Sequence, residues 1–222
     1  MRRPFPDPGR GRPVSIRDFM AFEEHVRNAR AVTGRGEVPE AWYEAPRFYF
    51  SNPAAVYTDG EDVPAPPDTS ALDYELELAC VIGADGRPEG FTIMNDWSAR
   101  DLQAREMQVG LGPAKGKDFA TSLGPVLVSA DELPADLALR AIARVNGEVR
   151  TESSTGGMRF GWDELLAAAA RNTPGLVAGD VIGSGTVGRG CILEHGDGRW
   201  LSVGDVVELE IEGIGVLRNR VV

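Results

Sequence analysis

Soft metal ligands are scarce in this chain: 222 residues hold two histidines and two cysteines, too few for a zinc-finger or paired-thiolate spacing. Cys80 and Cys191 each sit in an apolar run, where buried thiols of a reducing cytoplasm are expected. Long hydrophobic runs are also missing, and nothing approaches the roughly 20 apolar residues that a membrane helix needs. Arg2 and Arg3 lead into prolines rather than an apolar stretch, so no secretory signal is expected. Basic residues are outnumbered, 23 Lys and Arg against 34 Asp and Glu, for a net charge of −11. Nucleic-acid binding needs a basic surface, so a polynucleotide partner is excluded. A small anionic ligand is not, because local arginines and a metal can override the global field. No Ser-His-Asp or Cys-His nucleophile pattern stands out.

The composition that is present fits a folded domain. Hydrophobic residues make up 42%, enough for one core at this length. The 27 glycines and 15 prolines are scattered at turns, which suits many short strands. The expected fold class is α+β: a single β-rich domain over 15–222 with a few short helices, preceded by a loose arm over 1–14. Helices are expected over 15–31 with Ser15 as N-cap, 98–108 and 161–171. Strands are expected over 72–82, 91–95, 125–129, 139–145, 181–183, 190–194 and 206–211, with Asn146-Gly147 as a hairpin turn.

Chemistry concentrates in acids placed in apolar context. Within 72–82, alternation puts Leu72, Tyr74, Leu76 and Leu78 on one face and Asp73, Glu75 and Glu77 on the other. Residues two apart in a strand are roughly 6.6–6.8 Å apart, so Glu75 and Glu77 can converge on one small cation. Asp96 falls at a strand end, and Arg100 and Gln103 share a helix face beyond it. Asp18 and His25, seven apart, share a face of the first expected helix. His195, in a strand with Glu194, is expected in solvent. Gly183-Ser184-Gly185-Thr186-Val187-Gly188 matches a dinucleotide fingerprint by letter, but a strand rather than a helix is expected after it. It therefore reads as a tight glycine turn with close backbone approach. Lys115-Gly116-Lys117-Asp118 lacks the residues of a phosphate-binding loop. Acids without soft ligands favour Mg²⁺ or Ca²⁺ over zinc.

Taken in order, Arg17-Asp18-Phe19 with Glu24-His25, Tyr74-Glu75-Leu76-Glu77, Asn95-Asp96-Trp97-Ser98-Ala99-Arg100-Asp101, Gly116-Lys117-Asp118-Phe119, Gly183-Ser184-Gly185-Thr186 and Ile192-Leu193-Glu194 resemble the fumarylacetoacetate hydrolase family. The resemblance runs from about residue 15 to 222. It implies a fumarylacetoacetase-like mixed β-sandwich roll, a homodimer, and a divalent cation (Mg²⁺ or Ca²⁺, with Mn²⁺ also admitted) held by Asp18, Glu75, Glu77 and Asp96. It implies His25 as the water-activating base oriented by Glu194, and Arg100, Gln103 and Lys117 as donors to an oxyanion. Tyr49 and Thr186 would line the substrate pocket, as would Met20, which stands where fumarylacetoacetase carries a tyrosine. The implied reaction is hydrolysis of a carbon–carbon bond in a 1,3-diketo acid. Decarboxylation, isomerisation or dehydration of a 2-oxo acid on the same metal site is the alternative, and a non-catalytic Ca²⁺-binding module is the rival of another class. Because like charges repel, Glu75→Gln is expected to raise thermal stability in metal-free buffer.

Overall fold

The computed structural model describes residues 2–6 and 11–222. Among these, eight strands form a mixed sheet in the order Arg2–Pro4, Thr121–Val128, Pro88–Asp96, Leu76–Ile82, Asp180–Gly183, Ser15–Phe19 and Phe48–Ser51, with Val56–Tyr57 added alongside Thr121–Val128. A second sheet runs Glu148–Ser154, Arg140–Val145, Val206–Ile211, Gly215–Val221 and Asp62–Val63. Leu72–Asp73 pairs separately with Ser98–Ala99. The β-rich α+β expectation is met.

The two sheets share one core. Leu76, Leu78, Cys80 and Ile82 join Ala141, Leu209, Ile211 and Leu217 in it. The alternate residues Ala79 and Val81 belong to a smaller cluster with Ile16, Met94, Leu123 and Val181. Alternation along Leu76–Ile82 therefore holds, but both faces are covered, and the glutamate that shares the parity of Ala79 is buried. An acid on the covered face of a central strand needs a partner, which is why this strand draws a site to itself.

Several expectations are corrected. Residues 15–31 are not one helix: Ser15–Phe19 is a strand parallel to Asp180–Gly183, and the helix is Glu23–Val32. Ser15 does not cap; its hydroxyl donates to Asp180 at 2.7 Å. Pairing with a distant strand outweighs a local Ser-x-x-Asp signal that fits a helix start equally well. Residues 190–194 form a single bridge, Cys191 to Glu75, followed by a 3₁₀ turn over Leu193–His195. His195 is half-buried rather than in solvent, with Thr151 and Arg189 within 3.5 Å and 3.4 Å of its ring nitrogens. The arm expected to be loose is, over Arg2–Pro4, an edge strand paired with Val126–Val128; residues 7–10 lie outside the described residues. The helix Glu40–Glu44 and the strand Gly215–Val221 were not anticipated. The Asn146-Gly147 turn is where expected, with both residues at positive φ (52° and 80°) as a two-residue hairpin of this type requires.

Candidate metal centre

Strand order assembles four acids from distant parts of the chain. Leu76–Ile82, Asp180–Gly183, Ser15–Phe19 and Phe48–Ser51 lie side by side, so Ala79, Gly183, Asp18 and Tyr49 follow one another across the sheet, with Glu77 two residues from Ala79 on the same face. Gly183 is the spacer: a Cβ there would stand 2.6 Å from Asp18 Oδ1 and 2.9 Å from Glu77 Oε2. On the other side Leu76 pairs with Asn95, bringing Asp96 to the same end. The Asn95 side chain accepts the Glu75 amide at 3.0 Å in the break between the strands Leu72–Asp73 and Leu76–Ile82. One carboxylate oxygen from each of Asp18, Glu75, Glu77 and Asp96 lies within 4.8 Å of the others, and all four residues are buried. Asp18 and His25 thus meet through a strand and a following helix, not on one helix face.

The donor set fits a hard divalent cation. Asp18 Oδ1, Glu77 Oε1 and Asp96 Oδ1 are buried without a hydrogen-bond partner, a state that native interiors rarely tolerate. All four candidate ligands are carboxylates, as Mg²⁺, Ca²⁺ and Mn²⁺ prefer. The five buried acids Asp18, Asp73, Glu75, Glu77 and Asp96 face the buried cations Arg100 and Lys117, so negative charge is in excess.

The acids divide by their neighbours. Burial pushes the carboxyls of Asp18, Glu77 and Asp96 above the ordinary range, with Asp96 adding to Asp18 and Asp18 adding to Glu77. Glu75 goes the other way: burial is outweighed by Lys117 and Arg100. Lys117 Nζ donates to Glu75 at 2.6 Å and to Asp96 at 2.5 Å, and Arg100 Nη2 donates to Glu75 at 2.7 Å. Gly116 permits this placement, since a Cβ there would stand 2.6 Å from the Gln103 amide nitrogen. The expectation that Glu75→Gln stabilises the metal-free protein therefore moves to other residues. Breaking a buried pair costs about 3–5 kcal/mol, so Glu75→Gln is expected to lower Tm by roughly 10 °C. Raised carboxyl pKa values stabilise the fold most below the ordinary carboxylate pKa, and that contribution is lost as pH rises through the folded-state values. With chelator present, wild-type Tm should fall from pH 4 towards pH 7, and Asp18→Asn or Glu77→Gln should flatten the decline. Thermal melts in EDTA check this; a flat wild-type profile would contradict it.

Beside the acids lies the His25 imidazole. His25 Nδ1 donates to Glu194 Oε1 at 2.8 Å, and both residues are buried. Glu194 is held further by the Arg189 amide (2.8 Å) and Asn28 Nδ2 (3.0 Å). Burial raises its pKa, but these donors, His25 first, outweigh it and keep the carboxylate ionised. With Nδ1 occupied, Nε2 is the acceptor turned elsewhere. His25 lines a cavity of about 550 Å³ with Asp18, Glu75, Glu77, Arg100, Gln103 and Lys117. Gln103 accepts from Arg100 Nη1 through Oε1 at 3.3 Å, which leaves its amide NH₂ to donate. Met20 and Thr186 line the same cavity. Tyr49 does too, but its hydroxyl donates to Asp96 Oδ2, so it contacts a candidate ligand rather than only presenting a wall. Gly185, at φ 82°, would bring a Cβ to 2.4 Å from the Phe19 carbonyl, and its amide donates to Glu77 at 3.0 Å. The glycine motif is the close-approach turn expected of it. Sequence reasoning missed Asn28 and Asn95 as supports. Asn28 acts across 166 residues and nothing local marks it; Asn95 heads the motif that carries Asp96, but its bond to the Glu75 amide follows from strand pairing.

Comparison with known proteins converges with this geometry. A family model described as fumarylacetoacetate hydrolase C-terminal matches residues 15–222. Oxaloacetate tautomerase YisK of Bacillus subtilis is 36% identical over 192 residues, which cover 80% of this chain and 62% of that protein. The chain thus spans less than two thirds of that relative's length. A fumarylacetoacetate hydrolase from Exiguobacterium antarcticum superposes with a TM-score of 0.73 at 30% identity, covering 95% of this chain and 74% of the other. A 5-carboxymethyl-2-hydroxymuconate delta-isomerase from Mycobacterium smegmatis gives a TM-score of 0.74 at 28% identity, with 95% and 77% covered.

Proposed function

Because the chain belongs to the fumarylacetoacetate hydrolase family, we propose that it is a divalent-cation-dependent hydrolase that splits an acylpyruvate-type 1,3-diketo acid into a carboxylic acid and pyruvate. The observation that carries this reading is the His25–Glu194 pair opening onto the cavity that holds the four converging carboxylates. A divalent cation held by Asp18, Glu75, Glu77 and Asp96 would supply Lewis-acid stabilisation of the negative charge that develops on the diketo oxygens. His25 Nε2 takes a proton from water, and the resulting hydroxide attacks the acyl carbonyl. Glu194, ionised and fully hydrogen-bonded, fixes the tautomer and balances the imidazolium. Lys117, Arg100 and Gln103 donate to the oxyanion, an arrangement worth several kcal/mol when preorganised. The carbon–carbon bond then breaks, and the imidazolium returns its proton to the pyruvate carbon.

The cavity favours a substrate with an acyl extension. Phe19, Val26, Trp42, Phe48, Met107 and Leu193 line it, and its volume lies within the roughly 300–1,000 Å³ typical of drug-sized ligands, more than a four-carbon acid fills. A second reading is favoured by the tautomerase relative: the same imidazole could move a proton between carbon and oxygen of a 2-oxo acid without attack by water. A panel of acylpyruvates of increasing chain length, assayed beside oxaloacetate with Mg²⁺ or Mn²⁺, separates the two. Pyruvate release that rises with acyl length is expected. Oxaloacetate enol–keto exchange with no acylpyruvate cleavage would replace the hydrolase with the tautomerase.

A further inference from the structure

Asp73 takes no part in the chemistry above, yet it touches both halves of the site. Its side chain is fully buried. Oδ1 accepts the Ile192 amide at 2.7 Å, and Oδ2 accepts the Leu193 amide at 3.1 Å and Arg100 Nε at 2.8 Å. One carboxylate thus satisfies three donors from two segments more than 90 residues apart in the chain. The first segment is the start of the helix Arg100–Glu106, whose guanidinium reaches on to Glu75 and Gln103. The second is the turn leading into Glu194, which holds His25.

We infer that Asp73 is a positioning residue that fixes the distance and orientation of the His25–Glu194 pair relative to the carboxylate cluster, acting through Arg100 on one side and through the 192–193 amides on the other. Rotation of the Arg100 guanidinium would withdraw a cation from Glu75, and tilting of the 192–194 turn would withdraw Glu194 from His25. A buried ion pair that merely stabilised the fold would need the Arg100 contact alone. The two amide contacts lie on the opposite segment and gain Arg100 nothing. Asparagine is the near-isosteric probe: whichever way its amide turns, an NH₂ faces at least one N–H that now donates to a carboxylate oxygen, so one anchor is lost.

The inference rests on the proposed role of His25, and the experiment is built to fail separately from it. Wild type, Asp73→Asn and Tyr74→Phe are compared for Mn²⁺ affinity by calorimetry, for His25 titration by NMR, for Tm, and for kcat and KM on an acylpyruvate. Tyr74 is the control because it is equally buried, adjacent in sequence, and its hydroxyl is bonded, among the described residues, to Thr151 alone at 3.2 Å. With two histidines in the chain, the imidazole signals are readily assigned. Asp73→Asn is expected to weaken Mn²⁺ binding and lower kcat, each by about 10–100-fold, with KM little changed and the His25 titration displaced. Tyr74→Phe should lower Tm and leave the other readouts in place. The inference is overturned if Asp73→Asn loses thermal stability while Mn²⁺ affinity and His25 titration stay at wild-type values. Should Asp73→Asn not fold, Asp73→Ser, which keeps a hydroxyl acceptor, is read by the same measurements. If wild type turns over no diketo or 2-oxo acid, the proposed function fails, while the Mn²⁺ and NMR readouts still decide the role of Asp73.

Discussion

Glu77→Gln is expected to reduce divalent-dependent turnover by roughly 10³-fold or more, since a bound cation contributes several kcal/mol to the barrier and this carboxylate is one of four converging on the same point. The fold should persist. Glu77 forms no salt bridge with Arg100 or Lys117; its one hydrogen bond to a neighbouring backbone, from the Gly185 amide at 3.0 Å, can pass to the glutamine carbonyl. What disappears is a carboxyl group that can ionise to hold a cation and whose Oε1 is buried without a hydrogen-bond partner. Calorimetric titration with Mn²⁺ and activity at saturating metal, taken with a melt in EDTA, read the three consequences separately. Wild-type turnover at limiting metal would remove Glu77 from the ligand set. The comparison with Glu75→Gln is informative because the two glutamates, two residues apart, differ in company. Glu75 is bound by Lys117 and Arg100, so its loss should harm the metal-free fold, whereas loss of Glu77 relieves a carboxyl whose burial and proximity to Asp18 oppose ionisation.

That difference marks where the sequence stops informing. Alternation along 72–82 and the strand end at Asp96 bring out the acids, because period-two patterning and a covered sheet face are local consequences of residue type. The neighbours that decide each acid's charge come from elsewhere: Lys117 lies 42 residues from Glu75, and Glu194 lies 169 residues from His25. Asp18 and His25 share no helix face: Asp18 lies on the strand Ser15–Phe19 and His25 on the helix Glu23–Val32. The parallel register of Asp18 with Gly183 is what brings Asp18 to Glu77, and no spacing rule reports a parallel pairing across 165 residues. Tyr49 shows the same limit. The family resemblance implies a pocket wall, and Tyr49 does line the cavity; antiparallel register with Asp18 also carries its hydroxyl to Asp96. Glycines were more legible than acids in one respect: Gly183 and Gly185 announce close approach wherever they end up, and the sheet determines what approaches.

Replacing His25 by alanine tests the reaction rather than the metal. Loss of a positioned base typically costs about 10²–10⁴ in rate, and that fall in kcat is expected for acylpyruvate cleavage, with Mn²⁺ affinity close to wild type because the imidazole is not among the four converging carboxylates. Glu194→Gln should cost less. The imidazole remains, and the amide oxygen can still accept from Nδ1, but the ionised partner that opposes the imidazolium charge is gone, so the deficit should be confined to kcat. Substrate choice then separates the chemistries. Hydrolysis requires a base to activate water, and the groups around Glu194 are no substitute for His25: Asn28 and the Arg189 amide both donate to Glu194, and Cys191 points its thiol at the same carboxylate at 3.5 Å. Decarboxylation, which relies on the cation to stabilise the product charge, should tolerate His25→Ala far better. Tautomerisation should be slowed, since it too needs a proton acceptor, yet would show that loss on oxaloacetate with no acylpyruvate activity to lose in wild type. Assaying wild type and His25→Ala on both substrates with one metal therefore yields three distinct patterns. Acylpyruvate cleavage that survives His25→Ala unchanged would place the base elsewhere and end the hydrolase mechanism as drawn.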